Sequence, residues 1–112
     1  KTDVIMWIKY LQENSTFALN VYNSNSRLYM LRYIKGRLQE CIRSFADIVA
    51  EGRNIEKQDF EFVVEFYSEC AIGFISYWLD MGMQFPREIV DEKILRVMDN
   101  SVENLIERFQ TK

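Results

Sequence analysis

The sequence predicts an all-α chain, and three observations carry that prediction. Apolar residues recur with a period near 3.6 along nearly all of its 112 residues. Alternation of period 2, the mark of a half-buried strand, is not sustained anywhere. The stretch Phe60 to Met83 is helix-length and apolar on more than one face. A helix with more apolar surface than one core can cover has a second thing to bury, a partner subunit or a ligand. The predicted architecture is a five-helix bundle whose last two helices form an intersubunit four-helix bundle.

The first helix spans about Thr2 to Gln12, with Val4, Trp7, Ile8 and Leu11 on one face. Glu13-Asn14-Ser15-Thr16 breaks it, and Ser15 or Thr16 can cap a short second helix from Phe17 to Tyr22. Asn23 to Ser26 is a turn cluster, with Ser26 as the expected N-cap of the third helix. That helix runs from Arg27 to Ala50 on a stripe of Leu31, Ile34, Leu38, Cys41, Ile42, Phe45, Ile48 and Val49, and Gly52 is its stop. The fourth runs from Gln58 to Met81 and ends at Gly82. One of its stripes is Phe60, Val63, Val64, Tyr67, Ala71, Phe74, Ile75 and Trp78; the other is Phe62, Phe66, Cys70, Gly73, Tyr77 and Met81. The fifth is led by Pro86, tolerated where the helix lacks only an orphan N–H, and is expected to run unbroken to Gln110. Its stripe is Ile94, Met98, Val102, Leu105 and Phe109.

Composition narrows the function. The length suits one domain, residues 1–112, and the apolar and aromatic content excludes disorder. A net charge of −3 lacks the basic footprint of a DNA reader. No run reaches the roughly 18 apolar residues of a membrane span, and no signal peptide is visible, so a cytoplasmic location is expected. The chain opens mid-pattern at KTDVIMWIKYL without an initiator Met, which reads as a fragment or processed piece of something longer. Histidine is absent, removing the commonest general base and the commonest transition-metal ligand. Nucleophile signatures and phosphate-cradling glycine loops are also missing, so no catalysis, metal or cofactor is expected. Cys41 and Cys70 both fall in apolar-periodic stretches and read as buried thiols.

A pattern emerges around the fourth helix: Phe66-Tyr67, Gly73, Phe74-Ile75, Trp78-Leu79, Gly82-Met83, then Pro86. With the short helix after DVIMWIKYLQEN and the long one that follows, it resembles the C-terminal regulatory domain of TetR-like bacterial transcriptional regulators. The resemblance covers roughly Val4 to Ile106. Two positions depart from the pattern: Cys70 stands where the family often has glycine, and Phe85 where a small polar cap is common. The family's N-terminal helix-turn-helix reader is missing from this sequence. The resemblance implies a homodimer built on the last two helices and an effector pocket among the others. It also implies operator DNA binding only through the absent reader, with Thr2–Gln12 and Arg27–Ala50 carrying the effector's influence toward it.

Several residues are candidates on this reading. Mid-helix glycine costs about 1 kcal/mol relative to Ala, so Gly73 calls for a close neighbour. A dimer seam, packing within one subunit and pocket access all remain open. The expected dimerisation set is Gly73, Tyr77, Trp78, Met81, Ile94, Met98, Val102 and Leu105. Trp7, Tyr33, Phe45, Tyr67 and Phe74 are candidates to line an apolar effector pocket, against the alternative that they fill the core. Glu61, Glu65 and Glu69, spaced by four, form either a solvated face, a set of ion pairs with Arg32, Lys35 or Arg37 or with a partner subunit, or a site for a cationic ligand. The competing class is a helical protein-interaction module with no small-molecule ligand.

Overall fold

The computed structural model describes residues 2–84, 92–93 and 96–111. Among these it is all-helical, with α1 (Thr2–Glu13), α2 (Ser15–Tyr22), α3 (Arg27–Ala50), α4 (Lys57–Asp80) and α5 (Ser101–Phe109). The Cα extents are 49 × 29 × 17 Å. Helix axes pack about 8–10 Å apart, so the thin dimension holds only two layers, and a central helix keeps one face uncovered.

The core follows the 3.6-residue period. Ile8 and Leu11 of α1, Ala18 and Tyr22 of α2, and Ile34, Leu38, Ile42 and Ala46 of α3 are buried. They meet Val63, Val64, Ile75, Trp78 and Leu79 of α4, together with Met98, Val102 and Ile106. Ser68 is buried among them, and its hydroxyl donates to the Val64 carbonyl at 2.7 Å, so that hydroxyl is satisfied.

Helix ends obey local chemistry. Ser26 occupies the N-cap of α3 as expected, but the side-chain bonds come from Ser24, whose hydroxyl donates to Val21 O and accepts from the Ser26 N–H. Gly52 (φ +77°) turns the chain after α3, as expected. At the end of α4, the Met83 N–H returns to Trp78 O at 3.0 Å across Gly82 (φ +70°), closing orphan carbonyls.

Three expectations need correction. The unbroken fifth helix is interrupted: residues 96–98 are helical, Asp99 and Asn100 form a turn, and α5 starts at Ser101. Asn100 takes the left-handed conformation (φ 58°), which asparagine tolerates better than most residues. Ile48 is exposed instead of lying on the α3 core stripe. Cys70 is exposed too, Cys41 is half-buried, and neither forms a disulfide. Phe85, Pro86 and Ile94 lie outside the described residues.

The outer face of α3 and α4 as the candidate functional site

Two features share the outer surface of α4: an uncovered apolar stripe and a charged groove against α3. The stripe is the second of the two read from the sequence. Phe62, Phe66 and Tyr77 are 56%, 50% and 53% exposed, and Cys70, Gly73 and Met81 lie on the same side in the open. Phe62 stacks with Phe66 at 5.9 Å and meets Phe109 of α5 edge-on at the same distance, which extends the apolar surface toward α5. Hydrogen bonding between the Ser101 and Tyr67 hydroxyls (2.8 Å) and the grip of Thr111 on the Asn54 carbonyl hold α5 in place.

The groove runs along the α3–α4 boundary, where charge holds the two helices in register. Arg43 grips Glu61 with two parallel bonds of 2.8 and 2.6 Å. One turn on, Gln39 donates to Glu65 at 2.7 Å, and the Lys35 ammonium joins Glu65 (2.8 Å) to Glu69. Of the three readings of Glu61, Glu65 and Glu69, ion pairing is the one observed, through Lys35 and through Arg43, a partner the sequence reading did not name. The hydrogen bond from Arg43 holds the Glu61 carboxyl below its ordinary value, and that from Lys35 does the same for Glu65. Reciprocally, Lys35 is raised by its bonds to Glu65 and then Glu69, and Arg43 by its bond to Glu61. All these groups are solvated, so water and salt screen the pairs and each contributes little to stability.

Beyond Lys35 the groove opens to about 240 Å³, lined by Leu31, Arg32, Lys35, Glu69, Ile72, Gly73 and Ser76. Among the described residues a Cβ built on Gly73 would meet nothing within 4 Å, so their packing does not require this glycine. At the far end, the Tyr22 hydroxyl stands 3.5 Å from both Ser76 Oγ and Asp80 Oδ1, and Arg27 lies 4.1 Å over the Tyr22 ring.

The other candidates scatter. Trp7 is half-buried against the core and meets Tyr33 edge-on at 6.3 Å, but Tyr33 itself is exposed. Phe45, Tyr67 and Phe74 are half-buried against the core. None of the five lines the groove. Trp78, Met98 and Val102 are buried within the chain, and Leu105 is half-buried, which leaves Gly73, Tyr77 and Met81 as the outward-facing members of the expected seam. Among the described residues no acidic or cysteine group could hold a metal ion, and no helix is long and apolar enough to cross a membrane.

A family model described as a transcriptional regulator C-terminal region matches residues 4–100. The chain belongs to the TetR family of transcriptional regulators. The match spans α1 to α4 and stops just before α5 of this TetR-family domain, and a DNA-binding domain is not in it. No curated protein and no solved structure matches the chain.

Proposed function

We propose that this TetR-family domain is the dimerising and effector-sensing part of a cytoplasmic regulator, acting on operator DNA through a separate N-terminal reader. The observation that carries the reading is the uncovered stripe of α4. A row of large apolar side chains on a well-formed helix, continuous with Phe109 of α5, has the composition of an interface core. A two-fold partner would cover it isologously, α4 on α4 and α5 beside it. Gly73 near the middle of the stripe then has its purpose in the close approach of a second helix. The seam consists of Phe62, Phe66, Gly73, Tyr77 and Met81, with Leu105 at its α5 edge, while Trp78, Met98 and Val102 brace it from within.

Effector sensing is supported by a donor in the core. Trp78 is wholly buried, and its indole N–H has no acceptor among the described residues. Such a group costs about 1–3 kcal/mol, which an apolar effector bearing an acceptor would recover. Phe45, Tyr67 and Phe74, half-buried against the same core, are the aromatics we assign to the effector's surroundings. The effector acts only through its different affinity for two arrangements of α1 and α3 relative to α4.

Phe66→Glu tests the seam. A carboxylate at the centre of the stripe is expected to convert dimer to monomer in size-exclusion chromatography with the helical circular dichroism unchanged. A dimer of undiminished affinity would move the interface elsewhere. A second reading, a module that docks a protein partner, is favoured by the exposed Tyr10, Tyr29 and Tyr33 on α1 and α3, which the seam leaves uncovered. A small molecule that raises the melting temperature favours the sensor; saturable binding of a protein with no such response favours the module.

A further inference from the structure

We propose that the α3–α4 groove is a ligand site distinct from the core, and that it takes a small amphipathic carboxylate with its head on Arg32 and its apolar body over Leu31 and Ile72. The first argument is the charge register of the two helices. Arg43 and Lys35 each face glutamates of α4. Arg32 lies about one turn beyond Lys35 and shares the groove with Ile72, Gly73 and Ser76, where the acidic repeat of α4 has ended. Among the described residues the Arg32 guanidinium has neither ion pair nor hydrogen bond, whereas Arg27, Lys35, Arg37 and Arg43 on the same helix all have partners. A planar fork of donors beside an apolar floor matches a carboxylate attached to a hydrocarbon.

The shape of the groove sets the size and position of the ligand. About 240 Å³ is below the roughly 300–1,000 Å³ of sites for drug-sized molecules, so the occupant is nearer benzoate in size. Lys35 is engaged by both Glu65 and Glu69, so that end of the groove repels a second anion. The carboxylate therefore seats at the Arg32–Ser76 end. There the Ser76 hydroxyl, only loosely held by Tyr22 at 3.5 Å, is a further donor.

The test is a titration of the ¹⁵N-labelled full chain with benzoate, and with benzamide as its neutral counterpart, followed by amide shifts. Benzoate is expected to move the Ile72 and Ser76 amides saturably, with binding weaker by roughly ten-fold or more for benzamide and for Arg32→Gln. Arg32 is exposed, so the variant keeps the fold. Equal affinity for benzamide, an unchanged Arg32→Gln, unsaturable shifts across the surface, or no shift at all would each overturn the groove site. Saturable shifts confined to core residues such as Ile34 and Trp78 would also overturn it, while leaving the effector-sensing reading standing.

Discussion

Replacing Gly73 with alanine separates what the helix needs from what its surroundings need. Among the described residues a Cβ at this position meets nothing, so Gly73→Ala is expected to raise the stability of the isolated subunit by up to about 1 kcal/mol through helix propensity alone. In a close two-fold crossing the same methyl overfills the seam, where overpacking costs about 1–3 kcal/mol. The dimer dissociation constant should rise by about ten-fold or more, and Gly73→Leu should abolish the dimer while the subunit still folds. Denaturation in urea and sedimentation of each variant read the two effects separately. A gain in subunit stability with no loss of dimer affinity would take Gly73 out of the interface. The sequence already marked this glycine, because an unexplained helix-interior glycine is a local anomaly. It did not mark the groove beside it. Arg32, Ile72 and Ser76 come together only through the relative register of α3 and α4, which no local pattern encodes.

At the scale of elements, the ion pairs between α3 and α4 make a pH prediction. Glu61 and Glu65 are lowered in the folded chain from an ordinary value of 4.5, so their contribution to stability is complete above that value and disappears as pH falls through the lower folded ones. Lys35 is raised from 10.5, so its contribution is complete below that value and is lost as pH rises through the higher folded one. The urea midpoint should fall slightly on both sides, less so in high salt, and the acid limb should flatten in a Glu61→Gln, Glu65→Gln double variant. A double variant with an unchanged acid limb would show that these pairs do not couple to folding. The break before α5 offers a second prediction. Holding a β-branched side chain in the left-handed conformation costs about 1–3 kcal/mol, so Asn100→Val should lower stability by that amount and Asn100→Gly hardly at all. Equal effects on the urea midpoint would mean that the turn is not fixed by its backbone. This break hid from the periodicity because Met98, Val102 and Ile106 keep an i, i+4 spacing through it and all remain buried. Only the polar run Asp99-Asn100-Ser101, whose side chains compete for backbone bonds, signalled it. The first four helices were legible because each is flanked by turn residues and follows its own stripe.

The whole molecule is a thin plate of two helical layers, with one broad face of its longest apolar helix left open. Both stripes of α4 were readable from the sequence; which of them faces outward depended on where α3 and α5 dock. A large exposed aromatic row is a liability for a monomer and a contact for a dimer. The proposed dimer would therefore govern how an effector in the core or a carboxylate in the groove acts on the regulator. Sedimentation of the wild-type chain over a wide concentration range tests it most directly. A species of twice the chain mass that persists to low concentration and is lost in Phe66→Glu is expected. A clean monomer at every concentration would contradict it.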